Sequence, residues 1–287
     1  MTGGFLNLLK PPGMTSHDMV TAVRHILHEK RVGHAGTLDP GAAGVLPVAV
    51  GPSTRLIEYL ELADKTYRAE VFFGAETDSG DDTGHIIREQ RDFTLPSDDD
   101  IRAALQSFTG GIEQVPPVYS AIKINGKRAC DLVRSGQTVE IPSRHVTIYR
   151  LELLERRENT ILIDVDCSKG TYIRTLCTDI GRRFGIPACM SFLVRSRVGD
   201  FHLTDSVTLE ELKKRGENAL LRSEACLSYL DRFDLTPVRK KAFQNGLTTT
   251  VHDFVSEGSL RVYADNEFLG IGRIEDGELV PVKVLRS

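Results

Sequence analysis

The chain has 287 residues, 40% hydrophobic and 26% charged, which excludes a disordered or fibrous protein and leaves one large globular domain or two. The formal net charge of −4 offers no overall basic excess, the first sign expected of a nucleic-acid binder. Five cysteines, at 130, 167, 177, 189 and 226, are scattered without a CxxC pair. That speaks against a disulfide framework or a cysteine zinc site and fits a reducing, cytoplasmic setting.

The first residues, MTGGFLNLLKPPG, hold no basic segment ahead of an apolar run, so no secretory leader is expected. The apolar run Ala42 to Val50 is broken by Gly44 and Pro47 and is too short for a membrane span. A helix is predicted from Thr15-Ser16-His17-Asp18, a capping-box-like start, through Met19, Val20, Val23, Ile26 and Leu27 at helical spacing. His25 and His28 share one face of it but have no acidic or cysteine companions, and no metal is expected there. A glycine-rich stretch follows, Gly33 to Gly51, and then a strand at Tyr67 to Phe73. Residues 76–100 are acidic and turn-rich and read as an exposed connection, with a short helix after it at Ile101, Leu105 and Phe108.

Two later segments have clearer periods. Ile161, Ile163, Val165 and Cys167 alternate with polar residues, giving a half-buried strand over Thr160 to Cys167. Ile173, Leu176, Cys177, Ile180 and Phe184 then repeat as a helix stopped at Gly185 and Pro187, with Ser168-Lys169-Gly170 at the strand–helix junction. Texture changes near residues 222–235. Beyond lie a short helix (Thr236 cap, Pro237, Gly246 stop) and three strands joined by turns at Asp265-Asn266 and Asp276-Gly277. The expected organisation is a main domain over 1–230 and a small β-rich module over 231–287.

Charge is unevenly spread. Residues 76–100 alone carry −7, two basic against nine acidic, so the rest of the chain is +3. Lys123, Lys127, Arg128 and Arg134 cluster against Asp131 alone, and Lys169, Arg174, Arg182, Arg183, Arg195 and Arg197 surround the strand–helix junction. Such clusters hold phosphates by Coulomb attraction and counterion release even on an acidic protein, and equally make a solvated basic face. With the acidic run set away from it, an RNA-binding face remains open to this chain.

The stretch Gly33 to Pro47 (GHAGTLDPGAAGVLP) combines four glycines with two prolines, which let backbone approach a ligand and fix its course. Asp39 is the only carboxylate between Glu29 and Glu58, and Pro40 biases it to an extended conformation. A reactive carboxylate on a turn and a plain Asp-Pro turn both satisfy that pattern. No GxxxxGK[ST] or GxGxxG phosphate loop occurs there.

These residues resemble the signature of the TruB-type tRNA pseudouridine synthases. The resemblance rests on Gly33-His34-Ala35-Gly36-Thr37-Leu38-Asp39-Pro40 and continues in collinear order along the chain. Lys10-Pro11-Pro12-Gly13-Met14-Thr15-Ser16 is similar to the family's N-terminal segment, and Lys65-Thr66-Tyr67 to its Lys-x-Tyr motif. Pro116 to Lys123 with Gly126-Lys127-Arg128-Ala129 resembles its middle motif. Cys167 to Arg174 and Leu193-Val194-Arg195-Ser196 resemble two later ones, and the C-terminal module resembles a PUA RNA-binding domain. Cys130, where an aromatic is common, and Leu9, where a polar residue is frequent, depart from the pattern away from the chemical centre.

The resemblance implies an α/β (α+β) fold with a mixed, mainly antiparallel central sheet and a small PUA-like barrel. It implies isomerisation of uridine to pseudouridine at position 55 in the T loop of tRNA, in the cytoplasm, without cofactor or metal, by a monomer with no obligate protein partner. Asp39 matches the family's catalytic aspartate, which either attacks C1′ or takes a proton from C2′. The base must leave the RNA stack to be reached. Tyr67 matches the tyrosine stacked on the flipped base, and Arg174 the arginine paired with the aspartate. His34, Tyr172, Leu193 and Lys10 match substrate-binding or buttressing positions. Lys123, Lys127, Arg128, Lys169 and Arg195 are expected RNA contacts. A guide-RNA-dependent relative, a catalytically dead RNA-binding or chaperone protein, and a glycoside hydrolase with a second carboxylate are the competing readings; the first is disfavoured by the lack of long basic extensions and the second by the presence of both Asp39 and Tyr67.

Overall fold

The computed structural model describes residues 3–120, 123–124, 127–128, 141–251 and 258–285. In chain order the elements are β1 (Gly4–Lys10), α1 (Ser16–Leu27), β2 (Val32–His34), β3 (Ala43–Val50), α2 (Ile57–Glu61), β4 (Lys65–Phe73), β5 (Ala75–Thr77), β6 (Ile86–Glu89), α3 (Asp98–Gln106) and β7 (Gly110–Gln114). A two-strand hairpin, β8 (Lys123–Ile124) with β9 (Lys127–Arg128), leads to β10 (Arg144–Arg156), β11 (Thr160–Cys167), α4 (Ile173–Phe184) and β12 (Ala188–Val198). The remainder holds β13 (Phe201–His202), α5 (Leu209–Arg215), β14 (Asp231–Asp234), α6 (Lys240–Gln244), β15 (Thr249–Thr250), β16 (Ser259–Ala264), β17 (Glu267–Glu275) and β18 (Glu278–Val284). Among the described residues no helix is long and apolar enough to cross a membrane. The chain divides into two compact units, Met1–Ala63 with Val198–Ser287, and Asp64–Arg197.

In the first unit β3 lies between β1 and β2, antiparallel to both, with Leu6 opposite Val48 and Val32 opposite Val50. Alternation along β1 sends Leu6 and Leu8 to one face and Phe5 to the other. The first face packs on Met19, Val20, Val23 and Leu27 of α1. The second meets Leu56, Leu60, Phe201 and Leu227. The α1 start is the capping box the sequence predicts: the Asp18 amide donates to Thr15 Oγ1 at 3.0 Å, and the Thr15 amide to Asp18 Oδ2 at 2.8 Å.

The C-terminal part of this unit is a curled five-stranded sheet, half of a barrel, in the order β14-β16-β17-β18-β15. Its apolar face gathers Leu235, Phe243, Leu260, Val262, Leu269 and Leu279. Both expected hairpin turns are present, with Asp265 and Asn266 at φ 51° and 59° and Asp276 and Gly277 at 49° and 77°. These left-handed pairs are what tight hairpins require of Asp, Asn and Gly.

The second unit holds a sheet ordered β12-β4-β11-β10-β7. Strand β11 runs antiparallel to β4, with Val165 opposite Tyr67 and Ile161 opposite Val71. One face is apolar (Tyr67, Ala69, Val71, Phe73, Ile161, Ile163, Val165), and α4 lies against β4, its Phe184 ring 6.3 Å from that of Phe73. The other face is a ladder of opposite charges: Arg68 with Asp164 at 2.8 Å and Arg150 with Asp166 at 2.8 Å. Strands β1 with β3, β4 with β11, β11 with β10, β10 with β7, β16 with β17 and β17 with β18 pair antiparallel, and β14 pairs parallel with β16, so the fold is mixed α/β with mainly antiparallel sheets, as expected.

One expectation fails. Residues 76–100 are not a single exposed connection. Strands β5 and β6 pair within them, and Glu76, Thr77 and Ser79 are buried. The last of the acidic run, Asp98 to Asp100, forms the first turn of α3 behind the Ser97 cap, where carboxylates oppose the positive end of the helix dipole.

Candidate active site

In the first unit the short stretch between β2 and β3 that carries Asp39 is tied down from two sides. Asp39 opens a turn closed by the Ala42 amide on the Asp39 carbonyl at 3.1 Å. Lys10, at the end of β1 and fully buried, donates through Nζ to the carbonyls of Ala42 at 2.6 Å, Pro11 at 2.9 Å and Pro40 at 3.2 Å. The Gly13 amide also donates to the Pro40 carbonyl, at 2.8 Å. On the other side Ser16 Oγ donates to the Leu38 carbonyl and accepts from the Leu38 amide, at 3.1 and 2.9 Å. The N-terminal motif and the aspartate motif, distant in sequence, are therefore one mechanical unit. Asp39 itself is half-buried, and His34 sits half-buried at the end of β2 opposite Val48.

The second unit carries Tyr67, Arg174, Tyr172, Leu193 and Lys169. Strand alternation puts Tyr67 on the buried face of β4, and Leu193 and Arg195 together on the buried face of β12. Arg195 hydrogen-bonds to Tyr67 and is 1% exposed; burial pulls its guanidinium below the ordinary arginine range, while Tyr67 works in the opposite direction. The sequence places Arg195 among the expected RNA contacts. It is instead a buried partner of the tyrosine, because a charge at an inward position of a strand is enclosed by the sheet.

Arg174 stands in the first turn of α4, 6% exposed. Its Nη1 donates to the Ser79 carbonyl and its Nη2 to the Tyr119 carbonyl, each at 2.9 Å. Asp81 Oδ2 lies 3.6 Å from Nη1. Asp81 is itself held by its other oxygen, which accepts from Ser79 Oγ at 2.7 Å and from Thr83 Oγ1 at 2.6 Å. Gly80 at φ +75° lets this turn close on the helix, since a Cβ there would come within 3.3 Å of the Arg174 Cβ. The acidic run, expected to lie away from the functional face, therefore supplies the seat of Arg174. Sequence reasoning missed Asp81, which looks like one more acid in a run.

Tyr172 precedes α4 and is fixed by buried Gln114 on β7. The Tyr172 amide donates to Gln114 Oε1 at 3.0 Å, and Gln114 Nε2 donates to the Tyr172 carbonyl at 3.4 Å. Lys169 is exposed on the junction loop. The side chains of Lys123, Lys127 and Arg128 lie outside the described residues, as do Arg134 and Cys130. Among the described residues no His, Cys, Asp and Glu side chains gather as a metal site. Cys167, Cys177, Cys189 and Cys226 are buried free thiols, and burial pushes Cys167 and Cys226 up to about 12 and Cys189 up to about 11.

Comparison with known proteins shows the family. The TruB family pseudouridylate synthase N-terminal domain matches residues 24–173. The tRNA pseudouridylate synthase B C-terminal domain matches 174–241, and the pseudouridine synthase II TruB C-terminal family matches 234–285. The tRNA pseudouridine synthase B of Alkaliphilus oremlandii is 45% identical, covering 99% of this chain and 97% of that protein. Its namesake in Symbiobacterium thermophilum is 51% identical over 80% of this chain and 77% of its own length. Among solved structures, a chain of an H/ACA RNP bound to a substrate RNA containing 2′-deoxyuridine superposes with a TM-score of 0.76 at 25% identity, over 99% of this chain and 85% of that one. A fold of this kind, matched by three successive family domains and by relatives similar over most of their length, leaves one conclusion: the chain belongs to the TruB family of tRNA pseudouridylate synthases, isomerases that convert uridine to pseudouridine in tRNA.

Proposed function

We propose that this enzyme modifies the T-loop uridine of tRNA, position 55, and that the Asp39 carboxylate acts on the ribose. The observation that carries the reading is the double clamp on the Asp39 loop, Lys10 on one side and Ser16 on the other. A loop with no catalytic task has no need of a buried ammonium spent on its carbonyls, whereas positioning a reacting group to within a fraction of an ångström does.

The reaction breaks the N1–C1′ bond, turns the uracil and forms C5–C1′; the proton lost from C5 is balanced by one gained at N1. Atoms and oxidation state are conserved overall, so the chemistry calls for no redox cofactor. In one route Asp39 attacks C1′ as N1 leaves and is later displaced by C5. In the other it takes the C2′ proton to give a glycal. Tyr67 stacks on the flipped base and handles the C5 proton, with Arg195 holding its phenol. Arg174 supplies a fixed positive charge of the site, seated by Asp81, Ser79 and Tyr119.

Tyr172 and Leu193 line the uracil, His34 touches the RNA near the extruded nucleotide, and Lys10 buttresses. Lys169, with Lys123, Lys127 and Arg128, contacts phosphates, and the 231–287 module grips the tRNA beyond the T loop. RNA of this kind is read through shape, extruded bases and backbone. The enzyme acts as a monomer in the cytoplasm, without an obligate protein partner. The H/ACA likeness raises a guide-dependent reading. The far higher identity to proteins named tRNA pseudouridine synthase B, 45% against 25%, favours direct action on tRNA. Incubation with unmodified tRNA and nucleotide-resolution mapping of pseudouridine tests this reading; product elsewhere than the T loop, or none, overturns it.

A further inference from the structure

Beside Tyr172 stands an arginine with no role so far. Arg144, the first residue of β10, lays its guanidinium over the Tyr172 ring, 5.6 Å from the centroid. It is half-buried, and no carboxylate pairs with it among the described residues. The other arginines of β10 differ: Arg150 meets Asp166 and Glu152, and Arg156 meets Asp98. The neighbouring Glu113 is paired with His145 at 3.3 Å.

The surroundings are arranged to hold Arg144 in place. Gly170, at φ +80°, gives the loop its left-handed turn beside Arg144, whose Nη1 lies 3.4 Å from where a Cβ would stand. The loop beneath is tied to β10, since the Thr147 amide donates to Ser168 Oγ at 2.9 Å and the Ser168 amide to the Thr147 carbonyl at 2.8 Å. Lys169, exposed on the same loop, adds a second positive charge. A guanidinium held over an aromatic ring by cation–π attraction is restrained before the ligand arrives, and its fork of N–H donors can meet a phosphate in two parallel hydrogen bonds. A partly desolvated cation gains from an anion that arrives with the ligand.

We propose that Arg144, stacked on Tyr172 and accompanied by Lys169, is the seat of a backbone phosphate of the RNA, next to the nucleotide whose base Tyr172 lines. This rests on the functional reading above and adds a named phosphate contact to it. The contact anchors the strand on the platform that receives the extruded base, so part of the cost of extrusion is met by a charge held in position before RNA arrives.

The test is equilibrium binding of the full-length protein to unmodified tRNA over 50–300 mM KCl, with turnover measured in parallel. Arg144→Gln is expected to weaken binding by roughly tenfold at low salt. It is also expected to flatten log Kd against log[KCl] by about 0.7–0.9, the loss of one released counterion. Arg144→Lys should restore the wild-type slope, because the charge is kept, but only part of the affinity, because the two-pronged contact is lost. Arg182→Gln, which removes an exposed arginine already paired with Glu76 and Asp179, should leave the slope unchanged. A wild-type slope in Arg144→Gln, whatever the affinity, makes Arg144 only a support for the Tyr172 ring and overturns the proposal. Wild-type protein that neither binds nor modifies tRNA overturns the functional reading itself, an outcome distinct from the first.

Discussion

Lys10→Met removes the clamp on the aspartate loop while keeping a side chain of similar length. The Pro40 carbonyl retains the Gly13 amide at 2.8 Å, but the Pro11 and Ala42 carbonyls lose the buried donor that reached them at 2.9 and 2.6 Å. A buried acceptor left unsatisfied costs ~1–3 kcal/mol, and no longer desolvating the ammonium offsets part of that, for a net loss of about 2–4 kcal/mol. For a chain of this size each kcal/mol moves the melting midpoint by roughly 2–3 °C, so a fall of about 5–10 °C is expected. The larger effect falls on catalysis. Asp39 immediately precedes Pro40, whose carbonyl Lys10 restrains along with that of Ala42, and a displacement of ~1 Å lowers turnover by about 10²-fold. Calorimetry with single-turnover pseudouridine formation at saturating enzyme reads both. A melting midpoint within 1 °C of wild type (about the scatter of a scan) with turnover within about threefold would refute the reasoning, because the three hydrogen bonds would then be holding nothing that matters.

Three further outcomes follow from the same geometry. Asp81→Asn leaves Arg174 its two carbonyl partners but removes the charge at 3.6 Å, and should lower kcat by roughly 10- to 100-fold with little change in KM; an unchanged kcat would show that the Asp81 charge has no part in seating the arginine. Arg195→Met should likewise lower kcat by about 10- to 100-fold through Tyr67, and Arg195→Lys should recover part of it; equal loss in both variants would assign Arg195 to packing alone. With their ionisation pushed upward by burial, Cys167, Cys189 and Cys226 remain thiols at pH 8, so peptide mapping after iodoacetamide should find them labelled only once the protein is unfolded. Rapid native labelling of Cys189 would contradict its burial.

What could be read in the sequence was local or periodic. The Thr15–Asp18 capping box, the alternation of Ile161, Ile163 and Val165, and the hairpin turns at Asp265-Asn266 and Asp276-Gly277 each depend on a few adjacent residues, and each is found in the structure. The residues that set up the candidate site depend on contacts across many tens of residues and left no such trace. Asp81 meets Arg174 only because β5 and β6 fold the acidic run against α4. Arg195 resembles a surface charge until strand β12 turns it inward beside Leu193. Gln114 fixes Tyr172 through a side-chain amide that no periodicity marks. The acidic run was mistaken for solvent-facing chain for the same reason. Its composition favours exposure, while Glu76 is buried in an ion pair with the distant Arg182, and Thr77 and Ser79 are buried with their hydroxyls on Asp81 of the same run.

The central claim is that the Asp39 carboxylate performs the chemistry on a T-loop uridine. The most direct measurement is pseudouridine mapping on unmodified tRNA after incubation with wild-type enzyme and with Asp39→Asn, with tRNA affinity determined for both. The account predicts pseudouridine at position 55 with wild type, none with Asp39→Asn, and affinities within about threefold, since the amide keeps the size of the side chain and removes only its charge and basicity. Turnover by Asp39→Asn, or wild-type product at another position, would contradict it.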